Sequence, residues 1–221
     1  MISTIRGTCG ALPRKSLNTK SRAKERTISP LTRNRYFRKL AEAIEVGTAF
    51  TIGHSNRSLT TFKQMLLGEA VDLVVDVRRF PRSRSNPAYN SESLAPQLQC
   101  DGIGYIHCPP LGGLRSKISE TPPVDNGFWR NKSFQNYADY ALTDVFQTAL
   151  MKLLDLCGEN RCALMCAEAV WWRCHRRIIS DYLIAHGVSV YHVMDIGKLT
   201  PAHLSDGAVV DPDLRVRYPS Q

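Results

Sequence analysis

The chain has 221 residues, 43% of them hydrophobic and 22% charged, which is ordinary globular composition and excludes wholesale disorder. No apolar run approaches the roughly 20 residues that a membrane span needs. The net charge of +9 points first to nucleic acid, yet 11 of the 29 Lys/Arg and only 3 of the 20 Asp/Glu lie in residues 1–48, leaving 18 and 17 for the rest. The body is therefore nearly neutral, and global charge gives no argument for DNA binding.

In chain order, residues 1–47 form a basic extension of disordered composition, followed by an α/β domain over 48–221. Three readings of the extension stand open: an organelle-targeting leader, a basic arm for nucleic acid, or an over-long start. A short amphipathic helix is expected over 36–46, with Phe37, Leu40, Ala41 and Ile44 on one face. The first residues lack an apolar segment of the secretory type. With seven cysteines, an odd number in a chain of this size, the expectation is reduced thiols in the cytoplasm.

A strand is predicted over 48–53, ending at Gly53-His54-Ser55. A helix over 59–67 follows, with Ser58 as N-cap. Residues 71–77 (VDLVVDV) read as a strand, 91–100 as a helix, and 104–108 as a short strand. A long loop rich in Gly and Pro covers 109–130. A helix over 133–156, broken near Thr143, leads to a strand over 162–166. A helix over 171–185 and a strand over 188–194 complete the series, and the tail 197–221 shows no period. Strands joined by helical crossovers run parallel. The expected fold is α/β, a doubly wound, Rossmann-like, mainly parallel sheet of about five strands with helices on both faces, in a single domain.

Ligands of such sheets bind beyond the carboxyl ends of the strands. Four strands end in reactive or charged groups: His54-Ser55, Asp76-Val77-Arg78-Arg79, His107-Cys108, and Cys166-Ala167-Glu168. The richest segment runs from Cys166 to Arg177 across a strand, a turn and a helix start. A thiol at a helix N-terminus among arginines is expected to be acidified, which would make Cys166 a nucleophile. Its alternative is a buried, inert thiol. Glu168 reads as a general acid or base, or as a cap for helix amides. His175 reads as a base, or as a satisfied core histidine. Arg78, Arg82 and Arg176 can hold a phosphate bidentately, although Asp76 and Arg78 can equally form a structural ion pair. Gly112 and Gly113 would let backbone approach a ligand, and Trp171 or Trp172 could stack a base.

The spacing C-x4-C-x3-C-x7-C-H, from Cys157 to His175, is loose for structural zinc, which prefers tight pairs. No cofactor is predicted, with zinc as the minor alternative. There is no Walker loop, G-x-G-x-x-G or G-x-S-x-G, and Arg173 lies one residue too far from Cys166 for the C-x5-R cradle of cysteine phosphatases.

Thr51-Ile52-Gly53-His54-Ser55-Asn56-Arg57-Ser58, Asp76-Val77-Arg78 and Phe80-Pro81-Arg82-Ser83 together resemble the domain of unknown function 488 family. So do Tyr105-Ile106-His107, Leu111-Gly112-Gly113, Phe134 to Tyr140 (FQNYADY), Cys166-Ala167-Glu168 and Cys174-His175-Arg176. The resemblance covers about 50–205 and leaves the leader outside. The family is mainly bacterial and has no settled activity, so the resemblance implies a fold and a site and leaves the reaction open. It implies that Cys166, Glu168 and the Cys-His-Arg triplet act together.

The sequence thus predicts an enzyme acting on a nucleotide-like or other anionic ligand. Cys166, Glu168 and His175 are the catalytic candidates. His54, Ser55, Arg78, Arg82, Ser83, His107, Gly112, Gly113, Trp172, Cys174 and Arg176 are the ligand-binding candidates. The alternatives are a non-catalytic module for nucleic acid or a phosphate ligand, and a thiol redox or metal-binding protein. No membrane partner is expected, and the oligomeric state is left open.

Overall fold

Alternation along the strands sets the layers. In β4 (Cys162–Cys166) every residue is buried, because the strand has a neighbour on each side and helices on each face. Its odd and even residues join different cores. Cys162, Leu164 and Cys166 pack in one, while Ala163 and Met165 pack in the other. The protein is seen in a computed structural model that describes residues 47–118 and 126–220. The leader before Gly47 and the helix expected over 36–46 lie outside the described residues.

The first core is covered by α3 (Lys132–Ala141), α4 (Asp144–Glu159) and α5 (Arg176–Ala185). The second is covered by α1 (Leu59–Gly68) and α2 (Ser91–Gln99), through Phe62, Met65, Leu66, Leu94 and Leu98. Between them lies one sheet of order β3-β2-β4-β1-β5-β6. β1 (Thr48–Gly53), β2 (Leu73–Asp76), β3 (Gly104–His107), β4 and β5 (Ser189–Asp195) run parallel to one another. This is the doubly wound α/β arrangement with helices on both faces.

Local details go beyond what the sequence shows. The sheet has six strands, because β6 (Lys198–Pro201) returns antiparallel along β5. The turn between them includes Gly197 at φ +65°, a left-handed conformation that suits glycine. The tail also forms a small pair, β7 (Val209–Val210) with β8 (Val216–Arg217). These strands are only two to four residues long, so they carry no visible period. The segment 133–156 is two helices. Thr143 caps α4 by accepting the Phe146 N–H at 3.4 Å, so the break expected there is a complete helix boundary. The segment 171–185 begins with a 3-10 turn, Trp171–Arg173, and becomes α-helical only at Arg176.

β1, β2 and β4 finish level with one another. Gly53 pairs with Cys166, and Asp76 with Met165, so the groups that follow these residues emerge on one edge of the sheet. Among the described residues, no helix is long and apolar enough to cross a membrane.

Candidate functional site

Two close approaches shape the edge. A Cβ on Gly53 would lie 1.9 Å from the carbonyl oxygen of Glu168. Only glycine lets the turn after β4 fold back over the end of β1. His54 and Ser55 then donate backbone N–H bonds to the carbonyls of Cys166 and Ala167, each at 2.9 Å. On the opposite wall, a Cβ on Gly113 would come within 2.7 Å of His175 Nδ1. The long loop therefore presses bare backbone against that ring.

A cavity of about 560 Å³ opens at this edge, within the roughly 300–1,000 Å³ typical of small-molecule sites. Cys166, Cys174, His175 and Tyr137 line its inner part, with His54 and Arg78. Cys166 and Cys174 are 7% and 2% exposed. Their sulfurs and a nitrogen of His175 all lie within 4.8 Å of one another. Arg176 donates from Nε to Cys174 Sγ at 3.2 Å. His175 Nε2 lies 2.9 Å from the carbonyl oxygen of Val77, which can only accept, so Nε2 carries a proton. The other nitrogen, Nδ1, faces Cys174 Sγ at 3.6 Å.

Electrostatics within the thiol pair differ from the sequence expectation. The hydrogen bond to Cys174, followed by burial, pushes the Cys166 thiol well up. Burial opposes ionisation of Cys174, but the bond from Cys166 and the neighbouring His175 and Arg176 outweigh it and hold that thiol well below its ordinary value. Negative charge therefore gathers on Cys174, with Cys166 as hydrogen donor. The acidification expected for Cys166 falls on the neighbouring sulfur, which accepts the Cys166 hydrogen bond and lies beside His175 and Arg176.

His54 is held neutral. Burial pushes it down to about 4, against a smaller contribution from its bond to the Ser55 carbonyl. Its ring stacks on Tyr89 with centroids 4.1 Å apart. Nε2 faces the Arg78 guanidinium at 3.3 Å, which can only donate, so the proton sits on Nδ1, 2.9 Å from Ser55 O.

Arg78 reaches the cavity, but its guanidinium is committed elsewhere. It donates to Asp76 from Nε and, at 2.6 Å, from an Nη, and to the Tyr89 carbonyl at 2.8 Å. Tyr105 donates its hydroxyl to the same carboxylate at 2.6 Å. The structural ion pair that the spacing allowed is what forms. His107 bonds the Arg78 carbonyl at 2.8 Å and does not line the cavity. Arg176 and Gly112 sit behind the wall, and Ser55 and Trp172 lie outside the lining. Trp172 is 47% exposed and meets Trp171 edge-on.

The mouth is basic and partly apolar. Arg82, Ser83 and Glu168 line it as the sequence suggested, and Arg79, Phe80, Leu114 and Arg173 join them. Phe80 is 65% exposed beneath the Arg79 guanidinium. The Arg173 guanidinium makes no hydrogen bond or ion pair among the described residues, and that of Arg82 reaches only Glu92, at 3.5 Å. Asn131, Ser133 and Phe134 form the remaining wall, where Asn131 caps α3 by accepting the Ser133 N–H. Phe80, Leu114, Asn131, Ser133, Phe134 and Tyr137 were not among the site residues expected from the sequence. The signal for Phe134 and Tyr137 was the FQNYADY motif; Asn131 and Ser133 look like an ordinary helix start.

These features define an α/β protein with a thiol-floored, arginine-rimmed cleft at the carboxyl edge of its sheet. The profile of the family described as "Domain of unknown function DUF488" matches residues 58–183, and the chain belongs to that family. No curated protein and no solved structure matches it.

Proposed function

We propose that the chain is an enzyme acting on a small anionic, nucleotide-like ligand in this cleft. The observation that carries the reading is the division of the cavity into a basic mouth and a reactive floor. Arg173 and Arg82 have guanidinium donors to spare for a phosphate. Phe80 offers an exposed face for a flat ring. Such a ligand would put its reacting end against Cys166, Cys174 and His175, with Glu168 at the mouth as proton acceptor. His54, held neutral, would shape the floor without adding charge. The unpaired thiols of the described residues suit a reducing compartment, and we place the protein in the cytoplasm.

The test is a thermal-shift and turnover screen of the full chain against nucleoside monophosphates, nucleoside diphosphates and inorganic phosphate. A nucleotide should raise the melting temperature, and Arg173→Ala with Arg82→Ala should abolish that rise. Glu168→Gln should leave binding intact and stop turnover. Binding with no turnover of any candidate would favour a non-catalytic module. If no anion binds at low ionic strength, the reading fails.

A further inference from the structure

We propose that Cys166, Cys174 and His175 are the three protein ligands of one divalent thiophilic cation, with zinc as the ion that suits them best. The inference deepens the reading above and shares with it only the location of the cleft.

The donor set comes first. Two sulfurs and one imidazole nitrogen select zinc among common divalent ions, and hard cations such as magnesium or calcium are excluded by the absence of oxygen donors. Separation comes second. Tetrahedral zinc with bonds of about 2.3 Å to sulfur and 2.0 Å to nitrogen sets its ligands roughly 3.5–3.8 Å apart. The Cys174 Sγ to His175 Nδ1 distance is already 3.6 Å, and all three donors lie within 4.8 Å of one another. Small side-chain rotations would close the site.

The surroundings agree. A histidine that binds a metal commonly donates its other ring N–H to a backbone carbonyl, which fixes the tautomer and aims the free nitrogen. His175 does this through Nε2 to Val77, and Nδ1 faces the sulfurs. Arg176, which does not line the cavity, donates to Cys174 Sγ at 3.2 Å, so the sulfur is held in place from outside the cavity. Gly113 has no side chain to crowd Nδ1. All three ligands line the cavity, so a fourth position would open onto the bound ligand. Three protein ligands with one open position are the pattern of catalytic zinc, whereas structural zinc takes four. An ion there would polarise whichever oxygen of the substrate or solvent filled that position.

The same strand supplies a contrast. Cys162 is hydrogen-bonded to Cys157 at the far end of β4, but no third ligand joins that pair among the described residues. Cysteines alone do not make the site; the end of the strand that meets His175 does.

The experiment uses the full chain, kept reduced, stripped with a chelator and titrated with Co²⁺ and then Zn²⁺. One equivalent of Co²⁺ should give a thiolate-to-cobalt charge-transfer band and the visible bands of tetrahedral cobalt, and Zn²⁺ should abolish both. Cys166→Ser and His175→Ala should lose the bands, and Cys100→Ser should keep them. A second readout needs no variant. Zn²⁺ should protect Cys166 and Cys174 of the wild type from iodoacetamide, as located by peptide mass spectrometry, while exposed Cys100 still reacts. A folded, reduced protein with no charge-transfer band overturns the proposal, as does a band undiminished in Cys166→Ser or protection confined to Cys157 and Cys162. The titration contains no organic ligand, so its outcome is separate from the nucleotide screen. Zinc without nucleotide binding would sink the previous reading alone, and nucleotide without zinc would sink this one alone.

Discussion

Asp76 and Arg78 stand two residues apart at a strand end, and that spacing decides what each can do. Both are buried, at 0% and 5% exposure, and each satisfies the other. The pair is a hub: Tyr105, His54 and the Tyr89 carbonyl all attach to it. Removing one partner would leave the other charged and dry. Asp76→Ala should therefore lower unfolding free energy by about 3–5 kcal/mol, measured from urea denaturation. A loss under 1 kcal/mol would mean the pair is better solvated than its burial implies. Sequence could offer both roles for Arg78, ligand contact or ion pair, but could not choose between them. The choice depends on Tyr105 and Tyr89, which approach from a neighbouring strand and a distant turn. Cys166 and Cys174 were legible as site residues from their place beside strand end and helix start. Which sulfur carries the charge was not, because it depends on which thiol donates to the other and on how His175 and Arg176 sit around Cys174.

At the scale of elements, the boundary at Thr143 is set by a side chain. Its Oγ1 accepts the Phe146 N–H and its own hydroxyl donates to the Tyr140 carbonyl at 2.7 Å. One residue thus ends α3 and starts α4. Thr143→Ala should cost about 1 kcal/mol, and Thr143→Ser should recover most of it, both read from thermal melts. Equal stability of the alanine variant would show that packing alone sets this corner. The long helices and interior strands were legible because their apolar periods extend over enough residues to register. The tail was not. β6, β7 and β8 are too short for a period to show, and they are fixed by contacts made elsewhere. Tyr218 is one such anchor, donating its hydroxyl to buried Asp181 at 2.7 Å.

For the whole molecule, two buried imidazoles set an acid limit. Burial pushes His54 down to about 4 and His192 to about 3. His192 is closed in by Thr51 at 2.7 Å and by the stacked ring of Trp171 at 4.2 Å. Unfolded, each would titrate near 6.5. Between about 6.5 and the folded values the unfolded chain binds more protons, so stability is complete above about 6.5 and falls as pH is lowered. At pH 5 each histidine should have cost about 2 kcal/mol relative to neutral pH. His192→Gln should therefore lose less stability than the wild type between pH 7 and pH 5, as judged by urea midpoints. Parallel losses in the two proteins would show that His192 accepts its proton while folded.

The strand order also governs how the protein must be made. β1 is the first strand of the sheet to leave the ribosome, yet it lies between β4 and β5. Its first partner begins at Cys162 and its second at Ser189. At roughly 5–20 residues per second, β1 waits on the order of ten seconds with both of its hydrogen-bonding edges bare. The centre of the sheet thus closes only after β4 is made, with β5 and β6 added later still, and the cleft, whose walls hang from β1 and β4 together, cannot exist on any nascent chain that stops short of α5.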